Sequence, residues 1–194
     1  MPSKQSTMHV LDLARFDEFI AYLDDHLSDN GAPGTPYFQP LARAQSGFPR
    51  ERAEHFRNAL SIPVGQPGWR RAWLARAPDG RVAGHVDLRA HGERYAAHRC
   101  LLGMGVGRDF RRAGLGARLM AHAQRWAEAK TALEWIDLNV LSSNAPALAL
   151  YRAAGFTQVG EIADMFKIDG QLFSYTSMAK RLARAAGDEN LLKK

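Results

Sequence analysis

The chain has 194 residues, 46% hydrophobic and 24% charged, which is enough for one substantial core and short for two. Its 26 basic and 20 acidic residues leave a net charge of +6, which suits an anionic ligand or surface as well as it suits plain solubility. A single cysteine, Cys100, excludes an intrachain disulfide framework; with no leader-like N-terminus and no long apolar run, the expectation is an unprocessed cytoplasmic protein without a membrane segment.

In chain order, a flexible stretch over 1–7 precedes a short strand around Met8–Asp12. Phe16, Phe19, Ile20, Leu23 and Leu27 then recur at steps of three and four and predict a helix, which Asn30-Gly31 stops. The segment 31–49 mixes glycine and proline with Tyr37, Phe38 and Phe48, which predicts an ordered loop rather than a flexible linker. Pro49 opens a shorter helix that runs through Leu60. Segments 69–77 and 81–91, joined at Asp79-Gly80, read as an antiparallel hairpin, with Asp-Gly supplying the positive φ angles of its turn. The run CLLGMGV at 100–106 is a third strand. It leads into a helix whose apolar face is Leu115, Leu119, Met120, Ala123, Trp126 and Ala127. Strand 135–141, helix 144–155 and a last hairpin of 157–168 with 172–182, turning at Asp169-Gly170, complete the chain before a basic and polar tail over 183–194. The order strand, helix, strand implies one parallel crossover. The fold class is therefore α/β (α+β): a mixed, mostly antiparallel central sheet with helices on both faces, in one domain over 8–182.

Gly103, Gly105 and Gly107 alternate and so share one face of their strand, exposing backbone. Close helix packing would need only one of them, so the pattern favours approach of a ligand. The strand turns into its helix through Arg111-Arg112-Ala113-Gly114-Leu115-Gly116, where first-turn amides lack intrahelical acceptors and the glycines uncover them. Two arginines at the positive end of a helix dipole call for an anion, and Asp109 offers one carboxylate against two guanidiniums. The dinucleotide fingerprint fails at Arg108 and at Phe110, and no nucleotide P-loop occurs.

The pattern V-x(4)-R-x-x-G-x-G from Val106 to Gly116 resembles the acetyl-CoA signature of the GNAT superfamily of N-acyltransferases. Asn144, Ala147, Leu150, Tyr151, Gly155 and Phe156 match a second pattern of that family, on its last crossover helix and the strand that follows. Arg108 departs from the proline common there, which makes the turn less rigid.

The resemblance implies acetyl-CoA as co-substrate, its pyrophosphate on Arg111, Arg112, Ala113, Gly114, Leu115, Gly116 and Ala117, its pantetheine along Met104, Gly105 and Val106, and Asn144 and Tyr151 beside it. It implies a bulge that splays the Gly-rich strand from its parallel neighbour, with Val106 or Gly105 donating to the thioester oxygen, and Tyr151 as general acid for the CoA thiolate. By position alone Tyr151 also reads as a core tyrosine, and Asn144 suits the N-cap of its helix. The resemblance further implies transfer of an acetyl group to a primary amine of a small molecule or a peptide by direct attack in a ternary complex, with no metal, and homodimers as in many relatives. His85, Asp87, Glu93 and His98 are conceivable bases, each equally an ordinary strand or surface residue, so none is assigned. Cys100 reads as a small buried residue. Tyr37 and Phe38 are expected to line the acceptor pocket, and Asp24, Asp25 and Asp29 to attract a cationic amine or simply to form a solvated helix face.

Two rival readings stand beside the enzyme. A basic nucleic-acid-binding module is motivated by a pI of 9.8, but Arg108, Arg111 and Arg112 cluster at a helix end, which favours a compact polyanion over a duplex, so no nucleic acid is expected. A non-catalytic acyl-CoA sensor is disfavoured by Tyr151.

Overall fold

The computed structural model describes residues 6–183, so the tail over 184–194 and most of the expected flexible N-terminal stretch lie outside the described residues. Thr7, assigned to that stretch, instead opens the first strand. In order the elements are β1 (Thr7–Val10), α1 (Phe16–Ser28), α2 (Arg50–Ala59), β2 (Arg70–Arg76), β3 (Val82–Ala90), β4 (Arg99–Val106), α3 (Leu115–Lys130), β5 (Trp135–Leu141), α4 (Ala145–Ala153), β6 (Thr157–Ile168) and β7 (Gln171–Arg181). They build one seven-stranded sheet in the order β1-β2-β3-β4-β5-β7-β6, in which only β4 and β5 are parallel neighbours.

The two-residue period of the strands divides the core. Trp73, Val86, Leu88, Leu102, Ile136 and Leu138 are buried against Leu119, Met120 and Ala123 of α3, while Ala72 and Leu74 are buried with Phe16, Phe19 and Leu23 of α1 and Phe56 of α2. Burying each large apolar side chain is worth roughly 1.5–3 kcal/mol, which is why the helices hold to opposite faces. None of the described helices is long and apolar enough to cross a membrane.

The β2–β3 turn differs from the expectation at one residue. Only Gly80 has positive φ (87°), and the turn closes through Gly80 N–H donating to Ala77 O and Ala77 N–H to Arg81 O, both at 2.9 Å. Pro78 enters the turn with its fixed negative φ, so the connection is three residues long and Asp79 has no need of a left-handed conformation. The loop over 31–49 is ordered by Asn30, which is fully buried. Its Oδ1 accepts from the N–H groups of Phe38 (2.8 Å) and Gln39 (2.9 Å), and its Nδ2 donates to Leu41 O (3.1 Å) and Ser46 Oγ (3.0 Å). The residue that ends α1 thus also organises the loop after it.

Candidate active site

The β4–β5 ladder joins Arg99 to Trp135, Cys100 to Ile136 and Leu101 to Asp137, then stops, although β4 continues to Val106 and β5 to Leu141. The strands do separate, but not through a bulge in β4. The β3–β4 register runs unbroken from Gly84 opposite Val106 to Ala90 opposite Cys100. Instead β5 follows β7, with which it pairs along its whole length from Trp135 opposite Arg181 to Leu141 opposite Tyr175. With β4 held by one neighbour and β5 by another, a cleft of about 1000 Å³ opens between them.

At the open end of this cleft stands the N-terminus of α3. Its N-cap, Gly114, has φ 75° and no side-chain cap, and nothing lies within 4 Å of where its Cβ would be. Among the described residues the N–H groups of Arg112, Ala113, Gly114, Leu115, Gly116 and Ala117 meet no protein acceptor; the ladder begins with Arg118 N–H on Gly114 O at 3.2 Å. Those of Gly114 to Ala117 are the orphan donors of a helix start, left without a protein partner. Gly116 serves packing instead, since a Cβ there would stand 2.9 Å from Leu150 Cδ2, so it lets α3 approach α4 closely.

The arginines of this turn divide in a way the sequence does not show. Arg111 Nη2 donates to Asp29 Oδ2 at 2.8 Å, and its Nε to Val106 O at 3.2 Å. Arg108 Nη2 donates to Asp25 O (3.0 Å) and Asp25 Oδ1 (3.1 Å), while its Nε lies 3.3 Å from Asp29 Oδ1. Both cations thereby sit at the C-terminal, negative end of α1. Asp25 and Asp29 consequently face arginines rather than an incoming amine, Asp24 Oδ1 accepts Phe48 N–H at 2.9 Å, and Asp109 pairs with Arg81 at 3.3 Å, not with this turn. Arg108, where the related pattern has proline, therefore ties the turn to α1. Arg112 is exposed, has φ 60°, and makes no ion pair or hydrogen bond among the described residues.

The glycine face of β4 is not bare. A Cβ at Gly103 would fall 2.4 Å from Asp87 Oδ2 and 2.9 Å from Arg89 Nη1; one at Gly105 would fall 2.6 Å from His26 Nε2 and 2.8 Å from His85 Cε1. These two glycines make room for a polar cluster from β3 and α1, so packing makes use of both, where the sequence suggested that it would need only one. Tyr22 ties the cluster together: its hydroxyl lies 3.2 Å from His85 Nδ1 and donates to Gly105 O at 3.2 Å, and its ring stacks on His26 with centroids 5.9 Å apart. Burial pushes His26 down to about 3, helped by His85, Arg111 and Arg108, and pushes His85 down to about 4. Both are held neutral. Burial pushes the Asp87 carboxyl up, but the Arg70 and Arg89 guanidiniums beside it outweigh this and hold it below the ordinary carboxylate range. Of the four conceivable bases, His85 and Asp87 belong to this cluster. Glu93 pairs with His91 at 3.1 Å in the open, and His98 O accepts Glu134 N–H at 2.7 Å.

Tyr151, which also lines the cleft, is 9% exposed, and its hydroxyl makes no hydrogen bond among the described residues. Burial, with Tyr175 nearby, pushes that hydroxyl up to about 12. Asn144 is the N-cap of α4, its Oδ1 accepting Ala147 N–H at 3.3 Å, which leaves its amide nitrogen for other use. Tyr37 and Phe38 line the same cleft, and Tyr37 is fixed there by its hydroxyl donating to Asp169 Oδ2 at 2.5 Å and by its ring against Phe173. Met104, Gly105, Val106, Arg111, Arg112, Gly114, Leu115, Gly116 and Ala117 also line it; of the expected residues only Ala113 does not. Cys100 is fully buried, and burial pushes its thiol up to about 12, which removes it as a nucleophile. Sequence reasoning missed Tyr22, His26 and Arg89. The apolar period of α1 was visible, but not which polar side chains its inner edge would bring onto β4.

The sequence model of the acetyltransferase (GNAT) family matches residues 37–156, a span that runs from the loop before α2 through the cleft to the end of α4. The chain belongs to the GNAT acetyltransferase family. Its sequence is 38% identical over 117 residues to the mycothiol acetyltransferase of Clavibacter michiganensis subsp. michiganensis, a match that covers 59% of this chain and 36% of that one. It is 27% identical over 99 residues to NAA10, the catalytic subunit of the N-terminal acetyltransferase A complex of Arabidopsis thaliana, covering 51% and 52%. The matched regions thus span only about a third and a half of those two relatives. The GNAT fold is shared over nearly the whole chain. An acetyltransferase of the GNAT family from Streptococcus pneumoniae superposes with a TM-score of 0.77 at 22% identity, covering 92% of this chain and all of that one. A phosphinothricin acetyltransferase from Sinorhizobium meliloti in complex with AcCoA superposes with 0.73 at 16% identity, covering 94% and 95%.

Proposed function

We propose that the chain is an acetyl-CoA-dependent N-acetyltransferase, folded as one domain over 8–182, that acetylates a primary amine of a small molecule or a peptide by direct attack. One observation carries this reading: the unpaired edge of β4, the turn that carries the unbonded amides before α3, and Tyr151 with its unbonded hydroxyl all line one cleft.

The amides of Arg112 to Ala117 receive the pyrophosphate, with Arg112 as its free counter-charge and Arg111 as a cation fixed in place by Asp29. The pantetheine amides take up the backbone groups of Met104, Gly105 and Val106 that β5 leaves unpaired, and a β4 N–H there, of Gly105 or Val106, polarises the thioester oxygen. Asn144 supplies its amide nitrogen from the facing helix end. Tyr151 stays protonated at any working pH and donates to the departing sulfur. A free thiol, near ~8.5, is the stronger acid, so stabilisation of the thiolate by that hydrogen bond is the larger part of its role. His26 and His85 are too weakly basic to strip a protonated amine. Neither histidine is therefore assigned as the general base.

Calorimetry with acetyl-CoA, run beside a thiol-release screen over a broad set of amines, tests the reading. Binding with thiol release on at least one amine supports it; failure of every acyl-CoA to bind overturns it.

A further inference from the structure

The end of the cleft away from α3 carries a charge pattern that selects the acceptor, an inference that rests on the transferase reading above. No aspartate or glutamate lines the cleft among the described residues. Carboxylates around it are already engaged: Asp25 and Asp29 by Arg108 and Arg111, Asp137 by Arg99 Nε at 2.7 Å and His91 Nε2 at 2.8 Å, and Asp169 by the Tyr37 hydroxyl at 2.5 Å and Arg43 N–H at 2.8 Å. A polyamine or other purely cationic acceptor finds no carboxylate among the residues that line the cleft.

The cations are arranged the other way. Arg89, opposite Leu101 in the β3–β4 register, stands where the β4–β5 ladder ends and the cleft closes. Its guanidinium crosses β4 through the space that Gly103 leaves open. Its partner Asp87 is shared: Arg89 Nη1 donates to Asp87 Oδ1 at 3.2 Å, and Arg70 Nε lies 3.2 Å from the same oxygen without hydrogen-bond alignment. One buried carboxylate thus faces two guanidiniums, which leaves about one positive charge uncompensated. Arg70 is packed over the Phe56 ring, 4.1 Å from its centroid, so the surplus reaches the cleft through Arg89, whose side chain is 35% exposed and whose Nε and Nη2 make no hydrogen bond among the described residues. Two further donors line the same cleft. Asn139 accepts Ser177 Oγ at 2.7 Å on its carbonyl side, which leaves its amide nitrogen free, and Tyr175 lines the same wall.

We propose that the acceptor is an amine bearing a carboxylate close to its amino group, an amino acid in the chemical sense, and that Arg89 pairs with that carboxylate. Arg89 has free donors on two adjacent nitrogens, Nε and Nη2, which is the fork a carboxylate fits. The pairing sets the amino group toward the unpaired edge of β4, where the thioester lies in the reading above.

The test compares the common L-amino acids with their amides, and with spermidine, on the full chain, by thiol release and by calorimetry with CoA present. The expected result is at least one amino acid whose kcat/KM exceeds that of its amide by about ten-fold or more, the ordinary value of a charge-assisted pair. Arg89→Gln should bring that ratio close to one, chiefly by raising KM for the acid, and Arg89→Lys should keep part of it. Because Arg89→Gln also removes a partner of Asp87, its thermal melt is recorded, and the wild-type ratio stands as a test whether or not the variant folds. The proposal is overturned if amides or spermidine are used as well as the acids, or if no acid binds or reacts better than its amide while acetyl-CoA still binds. Failure to bind any acyl-CoA overturns the transferase reading, and this proposal with it.

Discussion

Arg111 donates to Asp29 Oδ2 at 2.8 Å and thereby bolts the turn before α3 to the end of α1, whereas Arg112, the next residue, stands exposed at φ 60° with no partner among the described residues. Adjacent arginines thus have different duties. Arg111→Ala should cost stability and acetyl-CoA affinity together. Arg112→Gly should lower affinity by about five-fold while raising stability by roughly 0.5–1 kcal/mol, because a left-handed conformation is costly for any residue with a Cβ. Thermal melts and calorimetry on the two variants check the split; parallel losses in both would show that Arg112 is also structural.

Tyr151→Phe keeps the ring that packs against Phe156, with centroids 6.2 Å apart, and removes only the unbonded hydroxyl. Acetyl-CoA affinity should be retained while kcat falls by about ten-fold or more, the usual size of a proton-donating contribution. Steady-state turnover with a saturating acceptor measures this, and an unchanged kcat would remove Tyr151 from the chemistry.

Gly105→Ala should be poorly tolerated, since the new methyl would meet His26 at 2.6 Å and His85 at 2.8 Å, both anchored rings rather than flexible chain ends. Overpacking of this kind costs about 1–3 kcal/mol. Gly160→Ala, where nothing lies within 4 Å, is the control in the same denaturant titration.

Stability should depend on pH through the buried histidines. His26 and His85 are pushed down to about 3 and about 4, so between there and their unfolded value near ~6.5 the unfolded chain binds more protons than the folded one. Their contribution is complete above about pH 6.5 and is lost as the pH falls, at about 1.4 kcal/mol per pH unit for each histidine. The depressed carboxylates, Asp87 and Glu18, add their loss only lower, below their ordinary values of 3.8 and 4.5. Melts from pH 7 to 4.5 should show a falling midpoint, and His26→Leu should flatten the curve. An unchanged slope in that variant would mean that His26 titrates normally.

Local signals were legible in the sequence because they are set by neighbours in the chain. Phe16, Phe19, Leu23 and Leu27 are the buried face of α1, β5 occupies the expected 135–141, and the two motifs fall on the turn into α3 and on α4. What was not legible depends on residues far apart. The Arg111–Asp29 pair spans 82 positions, so the acidic edge of α1 read as a place for an amine or as a solvated face, when its Asp25 and Asp29 anchor two arginines. The glycine stripe was visible, but its neighbours Asp87, Arg89, His26 and His85 become neighbours only through the β3–β4 register and the seating of α1. The gap beside β4 arises from the pairing of β5 with β7, a choice made at the far end of the chain.

The Tyr37–Asp169 hydrogen bond closes a span of 132 positions, from the loop after α1 to the last hairpin turn. The Tyr37 side of the cleft is therefore held by segments far apart in the chain, while β4 and the turn into α3, which line its other parts, come from the middle. The loop after α1 and the last hairpin turn are thus latched to each other, so a graft of either has to carry the other with it, since exchanging one alone breaks the bond that joins them.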